Sequence, residues 1–392
     1  MKTERRAFIK RATLAMAGLA GAGFSQAATP AQNQVQVQHA DFYIHTNASL
    51  RLPKVNVSRS RVIKETVGLR PFRVSGPRIE KQELGNKTIV HNYGHGGSGW
   101  SLSWGSAHMA SKLVASTGAK DVAVIGCGVV GLSAATLLQK KGYEVTIYTK
   151  DVYPQVTSAM ATGTWSPTSR LINPEKVTPS FAAMFHEACS FSFNTFQRML
   201  GLNEVVDWMD SYAIRGENLG RNDFSSELKE KLMTPDLDFY PKPTLLARRE
   251  NPFKYKYVSK APTNIFNIPS YLKMLRDDFL LQGGHLKIKT FDSPEDIDAL
   301  KEKCIVNCTG LGAQEIFGDE ELLPVSGQLA FLIPQPELRY RANMGGVYFI
   351  PRKDGIMLGG NGIEGNRNTT PDKLVTDRYL DTVSEMMKNL KG

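Results

Sequence analysis

The chain has 392 residues, 41% of them hydrophobic, which is enough for a sizeable core and for two domains. Its formal net charge is +10, and it falls to +6 without the first 27 residues, which hold five basic residues and one acidic residue. The remaining positive charge is scattered and does not alternate with aromatic residues, so the composition argues against nucleic-acid binding. The cysteines lack C-x-x-C spacing, which favours buried thiols over a metal site or a disulfide framework.

The first 27 residues resemble a twin-arginine export signal. The segment Arg5-Arg6-Ala7-Phe8-Ile9-Lys10 carries the paired arginines, although Glu4 stands where Ser or Thr is usual. A weakly apolar stretch follows and ends in the small-residue cleavage site Ser25-Gln26-Ala27. The alternative is a basic start with an uncleaved helix. We therefore expect export by the twin-arginine machinery to the periplasm or the outside, with residues 28–57 as an extended arm.

Two segments before residue 102 contain proline or glycine residues that determine the local backbone conformation. In Val67-Gly68-Leu69-Arg70-Pro71, the proline forces Arg70 into an extended conformation and so gives its side chain a defined direction. A β-type run, Thr88–His91, then enters a glycine-rich loop, and a helix is predicted over Trp104–Ser116. A strand, a glycine loop and a helix start predict an anion or cofactor cradle made of backbone N–H groups. Since no third ligand is evident, the loop histidines His91 and His95 are expected to pack the turn rather than bind metal.

A complete strand–turn–helix–strand unit begins at Asp121. Val122–Ile125 is an apolar run of the kind that a buried parallel strand needs. In the following turn, Gly126 permits the sharp bend, Gly128 permits close approach of a pyrophosphate, and Gly131 permits packing of the new helix on the strand. The helix is expected to end at Gly142. This unit predicts a dinucleotide site but does not choose between NAD and FAD.

The rest of the chain is predicted to alternate helices with short strands and to end in β-type runs. The predicted elements are the strand Tyr143–Tyr148, the aromatic-rich helix Phe181–Leu200, the helix Pro269–Gly283, the strand His285–Thr290, the helix Asp296–Glu302, a strand entering Asn307-Cys308-Thr309-Gly310, and strands over Val347–Pro351 and Met357–Gly360. The closing β-type runs predict the large sheet of a second domain.

Three of these segments resemble motifs of the D-amino-acid oxidase family of FAD-dependent oxidoreductases. They are Val67-Gly-Leu-Arg70-Pro, His91-Asn-Tyr-Gly-His-Gly-Gly97 and Val124-Ile-Gly-Cys-Gly-Val-Val-Gly-Leu-Ser. In that family the nucleotide-binding unit comes first and the other two motifs close the chain, whereas here they precede it. The chain therefore resembles a circular permutant of that fold, with Ser116–Lys120 as the bridge. This order predicts that residues near Ser58 and Lys391 lie close in space.

The resemblance implies an α/β fold with two domains in circularly permuted order. It implies a Rossmann-like FAD-binding domain made of residues 71–165 and 264–315. Residues 58–70, 166–263 and 316–392 would form a substrate domain with a mixed or antiparallel sheet. Before these come the signal, residues 1–27, and the arm, residues 28–57.

The resemblance also implies the cofactor, FAD, because that family carries a glycine turn like Gly126–Gly131 together with loops like Gly94–Ser101 and Asn307–Gly310, and NAD dehydrogenases have no reason to carry all three. An acid usually contacts the adenosine ribose, but Lys150 stands at that position and Asp151 follows it, so this contact is left open. The implied FAD-binding residues are Gly126, Gly128, Val129, Val130, Gly131, Lys150, Asp151, Thr157, Ser158, Gly163, Thr164, Trp165, Gly96, Gly97, Ser98, Gly99, Trp100, Ser101, Thr309 and Gly310.

Two side chains are implied in catalysis. Arg70 would bind the substrate carboxylate through two hydrogen bonds, since a planar guanidinium suits a planar anion. Tyr348 would add one hydrogen bond to it, while the family's partner tyrosine is replaced by Met344, for which Tyr340 is a candidate substitute. Each residue also has an alternative role without function in catalysis: Arg70 as a surface arginine, and Tyr348 as a core tyrosine of a strand.

The implied activity is oxidation of a D-amino acid, or of a related carboxylate-bearing amine, by hydride transfer to flavin. The imino acid would hydrolyse to a 2-oxo acid and ammonia, and the electrons would pass to oxygen. Two alternatives stay open at this stage: a dehydrogenase that uses another electron acceptor, and a secreted flavin-binding protein without turnover. The sequence does not address the oligomeric state.

Overall fold

The computed structural model describes residues 51–202, 204–215, 224–233, 237 and 240–391. The predicted export signal and most of the predicted arm lie outside these residues. No helix in the described ranges is long and apolar enough to cross a membrane.

The described residues form fifteen strands and eight α-helices. The strands are β1 (Val62–Arg73), β2 (Lys81–Leu84), β3 (Lys87–His91), β4 (Asp121–Ile125), β5 (Glu144–Thr149), β6 (Val206–Arg215), β7 (Thr244–Leu245), β8 (Tyr257–Phe266), β9 (His285–Ile288), β10 (Cys304–Asn307), β11 (Leu322–Leu332), β12 (Tyr340–Met344), β13 (Val347–Arg352), β14 (Gly355–Gly359) and β15 (Ile363–Glu364). The helices are α1 (Gly99–Ala115), α2 (Val129–Lys140), α3 (Pro179–Gln197), α4 (Phe224–Leu232), α5 (Ile268–Leu281), α6 (Pro294–Asp298), α7 (Gly312–Phe317) and α8 (Lys373–Lys388).

Six strands form the first sheet, in the order β2-β3-β10-β4-β5-β9. All neighbours run parallel except β2 and β3. Its central strands are continuous apolar runs, and residues such as Val122, Val124 and Ile305 are fully buried, as a parallel sheet covered on both faces requires. Helices α1, α2, α3 and α5 share one apolar cluster with this sheet. The predicted Rossmann-like layer is confirmed.

The remaining strands form a second, nine-stranded sheet. Its main order is β1-β11-β14-β13-β12-β6-β8-β7, and β15 pairs with β11. All neighbours are antiparallel except β12 and β6, so the predicted mixed sheet is also confirmed. β1 and β11 pair over the full length of β1, with Arg70 opposite Val325 and Gly68 opposite Gly327.

The nine-stranded sheet has two faces of different chemistry. One face, which we call the α8 face, carries large side chains such as Phe349 and Tyr340, which share one hydrophobic cluster with Val383 of α8. The opposite face carries Gly68, Gly327 and Gly359, and we call it the glycine face. Because side chains alternate along a strand, adjacent residues such as Tyr348 and Phe349 belong to different faces.

Several predicted element bounds are wrong by a few residues. The helix predicted over Trp104–Ser116 begins earlier, at Gly99, and the Leu102 N–H donates to the Ser98 carbonyl at 3.0 Å. The helix predicted over Phe181–Leu200 is Pro179–Gln197, since Thr178 accepts a hydrogen bond from the Phe181 N–H and Pro179 follows this cap. The helix predicted over Asp296–Glu302 is Pro294–Asp298, because Ser293 and Asp296 form a capping box.

Candidate active site

The turn after β4 needs glycine at two positions. Gly126 has a φ of +113°, and a Cβ there would lie 2.5 Å from the carbonyl oxygen of Cys308. A Cβ on Gly131 would overlap the carbonyl oxygen of Gly126. The turn therefore holds the start of α2 directly against the end of β4, and it brings the 308–310 loop alongside.

Two helix N-termini converge beside this turn. The N–H groups in the first turn of α2 have no intrahelical acceptor, and that of Val129 donates to Ser158 Oγ at 2.9 Å. A Cβ on Gly99, the first residue of α1, would lie 3.8 Å from a methyl group of Val130. The positive ends of two helix dipoles therefore face one region, which favours a negatively charged group such as a phosphate.

The residues around this turn fit a pyrophosphate-bearing cofactor. A Cβ on Gly128 would lie 2.9 Å from Ser158 Oγ, so only glycine lets the backbone of the turn lie this close to Ser158. At the end of β5, Lys150 is exposed, Asp151 is half-buried, and Thr149 Oγ1 donates to the Asp151 carbonyl at 2.7 Å. The structure thus brings Gly126, Gly128, Val129, Val130, Gly131 and Ser158 together. Their contacts with the cofactor stay a prediction.

The glycine loop after β3 does not form the predicted cradle at three of its N–H groups. Those of Gly96, Gly97 and Ser98 donate to the carbonyl oxygens of Pro71, Ser169 and His95, at 2.7 to 2.9 Å. Its glycines instead permit close packing, since a Cβ on Gly96 would overlap the Arg170 carbonyl oxygen and one on Gly97 would lie 2.5 Å from Ser169 Oγ. The prediction of an N–H cradle is therefore wrong for these three groups.

Two predicted cofactor residues have indole rings that lie in the protein core. Trp100 donates from Nε1 to the Ser158 carbonyl at 3.0 Å and stacks on Phe266. Trp165 is 5% exposed and stacks on Tyr240 with ring centroids 5.9 Å apart. In the same region Ser101 Oγ accepts a hydrogen bond from the Ser166 N–H at 2.7 Å. These contacts fix the loop over residues 157–166, which also contains Thr157, Gly163 and Thr164, against α1.

The loop after β10 is held by its own side chains. Asn307 Oδ1 accepts hydrogen bonds from the N–H and the hydroxyl of Thr309, and Gly310 follows with a φ of +60°. Asn307 Nδ2 lies 3.1 Å from His91 Nδ1, and His91 Nε2 lies 2.9 Å from Gln82 Oε1. Burial, together with the charge of Arg78, lowers the pKa of His91 to about 3, so the ring is neutral and structural.

His95 is structural as well. It is fully buried, and burial lowers its pKa to about 4. Within the described ranges, no three His, Cys, Asp or Glu side chains are grouped so that they could hold a metal ion. Three of the four thiols are buried, Cys308 is half-buried, and all four are free, as expected from their spacing.

Arg70 lies on the glycine face beside Gly327. A Cβ on Gly327 would overlap the guanidinium of Arg70, so the absence of a side chain there makes room for it. Arg70 is half-buried, and its Nη1 is buried without a hydrogen-bond partner in the part of the chain that the structure describes. A buried, unpartnered guanidinium N–H is a strong hydrogen-bond donor for an anionic ligand.

Tyr348 lies on the same face and close to Arg70. Its hydroxyl lies over Gly359, where a Cβ would be 2.8 Å from the hydroxyl oxygen. Gly359 pairs with Leu329, two residues from Gly327, so the two glycines are diagonal neighbours about 7 Å apart. Burial raises the pKa of Tyr348, whereas the positive charges of Arg70 and Arg341 lower it. One small carboxylate could therefore reach both Arg70 and the Tyr348 hydroxyl.

The proposal that Tyr340 substitutes for the family's missing tyrosine is wrong. Tyr340 lies on the α8 face, where it donates to the Pro53 carbonyl at 2.7 Å and packs against Phe349. Met344 also packs towards that face. The two-residue turn Gly345-Gly346 sets Asn343 opposite Tyr348, so residues 341 and 343 share the glycine face while 340, 342 and 344 do not.

Three further residues near Arg70 and Tyr348 did not emerge from the sequence motifs. The guanidinium of Arg341 lies 5.9 Å from the centroid of the Tyr348 ring. Tyr240 is close enough to Arg341 for each to influence the pKa of the other. Burial lowers the pKa of Arg170, and the nearby positive charge of Arg70 lowers it further. Arg170 also forms an ion pair with Glu364 at 3.8 Å. Recognising the Gly345-Gly346 turn would have identified Arg341, but no motif signals Arg170.

Comparison with known proteins places the chain among flavoenzymes. The family model described as FAD dependent oxidoreductase (DAO) matches residues 121–392. A D-amino acid oxidase of Dugesia ryukyuensis is 25% identical over 281 residues, which cover 69% of this chain and 78% of that protein. A D-amino-acid oxidase of Rubrobacter xylanophilus is 28% identical over 276 residues, with the same coverage of 69% and 78%. The solved glycine oxidase of Bacillus cereus aligns with a TM-score of 0.48 and 16% identity over 69% of this chain and 80% of that one.

Proposed function

Because the chain belongs to the DAO family of FAD-dependent oxidoreductases, we propose that it oxidises a D-amino acid or a related amine that carries a carboxylate. The chain is an FAD-dependent oxidoreductase, and its cofactor is FAD. The observation that carries the substrate proposal is that Arg70 and Tyr348 lie on the glycine face over diagonal neighbours of the sheet, so one carboxylate could contact both. The names of the relatives, D-amino-acid oxidases, support the same substrate class.

The residues around the first glycine turn would hold the cofactor. Gly126, Gly128 and Gly131 let the turn pack closely without side chains, and the N-termini of α1 and α2 meet beside it, which suits a pyrophosphate. When bound, FAD supplies the acceptor for the hydride of the substrate α-carbon.

The side chains of the glycine face would bind and orient the substrate. Arg70 would donate two parallel hydrogen bonds to the carboxylate, which neutralise the charge of both partners and fix the carboxylate plane. The Tyr348 hydroxyl would donate a third, so that the α-carbon is held in one orientation. An amine that binds unprotonated needs no general base, and the product imine hydrolyses to a 2-oxo acid and ammonia.

We propose further that the chain has a circularly permuted order. The family match begins at residue 121, yet β1 pairs with β11, β3 pairs with β10, and α1 packs on α2. The Val55 N–H lies 3.1 Å from Met387 Sδ, which places the segment before Ser58 against the helix that ends before Lys391. These contacts support the idea that residues 58–115 supply the end that other members carry at their C-terminus.

Absorption spectra of the purified protein test this function. We expect the bands of oxidised flavin, their bleaching under anaerobic conditions by D-amino acids but not by L-amino acids, and loss of bleaching in Arg70→Met. The exposed Arg339→Met is the matched control and should bleach as the wild type does. A flavin-loaded protein that no D-amino acid bleaches would refute the proposed function.

The electron acceptor and the location of the protein are proposals of the same kind. Hydrogen peroxide formed per substrate oxidised, compared with reduction of a dye, separates an oxidase from a dehydrogenase that uses another acceptor.

The proposed export route rests on the Arg5-Arg6 pair, and Arg5→Lys together with Arg6→Lys should retain the precursor in the cytoplasm. Unchanged export of that double variant would refute the twin-arginine route.

A further inference from the structure

Arg352 is a buried arginine at the end of β13, and its partners lie in two different parts of the fold. It belongs to the glycine face, because it follows Tyr348 by four residues on the same strand. Its side chain is only 1% exposed. Nε and Nη2 donate to the two carboxylate oxygens of Asp354, at 2.8 and 2.6 Å, and the guanidinium lies 5.3 Å from the centroid of the Phe331 ring. The positive charge is therefore neutralised within the second sheet.

The remaining terminal nitrogen of Arg352 contacts a different segment. Its Nη1 donates to the carbonyl oxygens of Ala161 and Thr162, at 2.8 and 3.3 Å. Both carbonyls belong to the loop over residues 157–166. A charged donor makes a stronger hydrogen bond than a neutral one, so Arg352 anchors the middle of this loop on the nine-stranded sheet.

The loop contacts the first glycine turn just before these carbonyls. Ser158 Oγ accepts the hydrogen bond of the Val129 N–H, in the first turn of α2, and a Cβ on Gly128 would lie 2.9 Å from the same oxygen. The Ser158 side chain thus lies directly against the turn whose residues fit a pyrophosphate. A shift of the loop would move this side chain.

The loop also contacts the strand that carries Arg70. A Cβ on Gly68 would lie 2.9 Å from Met160 Cβ, and Gly68 precedes Arg70 by two residues on β1. The carbonyl groups that accept from Arg352 come directly after Met160. The loop therefore runs from the glycine turn to the glycine face, and Arg352 holds it where it meets that face.

Further anchors hold the loop after this point. The Gly163 carbonyl accepts a hydrogen bond from the Phe266 N–H at 2.8 Å, and the Trp165 N–H donates to the Asn264 carbonyl at 3.0 Å. These contacts fix the later part of the loop on β8. Arg352 adds anchor points between them and the contact with the glycine turn.

We propose that Arg352 is a positioning residue for FAD: by holding Ala161 and Thr162, it keeps Ser158 in place beside the turn that would bind the cofactor pyrophosphate. Its effect passes through the backbone of the loop. The inference depends on the cofactor and is independent of the proposed substrate, so absence of turnover with every D-amino acid would leave it intact.

Release of FAD from the holoenzyme tests this role without turnover. Serial dilution, followed by the fluorescence of free flavin, gives the dissociation constant. We expect Arg352→Met to raise it about 10- to 100-fold, as the loss of charge-assisted hydrogen bonds predicts. Arg352→Lys should give an intermediate value, because one ammonium cannot replace the fork to Asp354 and the bonds to both carbonyls together. The adjacent, exposed Lys353→Met is the matched control and should retain FAD as the wild type does.

A second control separates positioning from general loss of stability. Phe349→Ala removes core packing on the α8 face and lies outside the contacts described above. Measured well below both melting temperatures, the Phe349→Ala holoenzyme should keep the wild-type dissociation constant, whereas Arg352→Met should not. An equal increase in both variants would overturn the assignment, and so would an Arg352→Met holoenzyme with the wild-type constant.

A double variant keeps the test decisive if Arg352→Met does not fold. That failure would follow if Asp354 is left without its partner, because an unpaired carboxylate that is partly buried is costly. Arg352→Met combined with Asp354→Asn removes this charge as well. The double variant should release FAD more readily than Asp354→Asn alone, and equal dissociation constants of these two proteins would overturn the assignment.

Discussion

The two faces of the nine-stranded sheet share the same strands but serve different purposes. On the α8 face, Phe349 and Ile356 are fully buried, and the hydroxyls of Tyr340 and Tyr379 have protein acceptors. On the glycine face, Arg70, Arg341 and Tyr348 are half-buried, and one buried nitrogen of each arginine has no hydrogen-bond partner among the described residues. Because the side-chain period of a strand is two, the core residue Phe349 and the proposed binding residue Tyr348 alternate along β13. Neighbouring substitutions should therefore separate stability from binding.

The largest effect is expected at Arg70, on the glycine face. Arg70→Met removes two charge-assisted hydrogen bonds to the carboxylate, so kcat/KM should fall by about 10²- to 10⁴-fold. The melting temperature should change little or rise, because the substitution removes a guanidinium whose buried Nη1 has no hydrogen-bond partner among the described residues. Steady-state kinetics and melting curves check both expectations, and an unchanged KM would contradict the assignment of Arg70.

The counterpart on the α8 face is Phe349, which is adjacent to Tyr348 in the sequence. Phe349→Ala leaves a cavity against Tyr340 and should lower the free energy of unfolding by about 3–5 kcal/mol. Well below its melting temperature, the variant should keep kcat/KM within about threefold of the wild type. A large kinetic loss in a fully folded Phe349→Ala protein would show that the two faces are not independent.

The predictions from sequence were most accurate for features that depend on residues close together in the chain. The turn at Gly126–Gly131 and the extended Arg70 before Pro71 are set by residues within a few positions of one another, and both motifs appear in the structure. The assignment of Tyr340 failed because the face of a strand residue depends on register, which the Gly345-Gly346 turn sets. Arg170 was missed because its approach to Arg70 arises from tertiary packing of its carbonyl on Gly96.

A substitution at Gly327 can displace Arg70 without altering it. In Gly327→Ala the new methyl group would overlap the Arg70 guanidinium, the flexible end of a side chain, so the guanidinium should move away. We expect KM to rise by about tenfold, since small displacements of a positioning group cost that much, with stability changed by less than about 1 kcal/mol. The double variant with Arg70→Met should lose nothing more than Arg70→Met alone, and an additive loss would place the effect elsewhere.

The smallest effects are expected when the hydroxyl groups of Tyr348 and Tyr340 are removed one at a time. Tyr348→Phe should lower kcat/KM by about 5- to 10-fold, the value of one hydrogen bond, without loss of stability. Tyr340→Phe loses the hydrogen bond to the Pro53 carbonyl, so it should cost about 1 kcal/mol of stability and leave kinetics unchanged. Kinetics and chemical denaturation of both variants test the comparison, and the reverse pattern would exchange the roles of the faces.

The pairing of the first strands with late ones has a consequence for how the protein is made. β1 pairs with β11, and β3 lies between β2 and β10, so each sheet needs strands from both ends of the described chain. Such non-local pairing raises contact order and slows folding, and early strands stay unpaired while synthesis continues. Arg70 reaches its place beside Gly327 only when β11 has emerged and docked. Onset of activity during refolding should therefore coincide with closure of the second sheet, after the first dinucleotide-binding unit has formed.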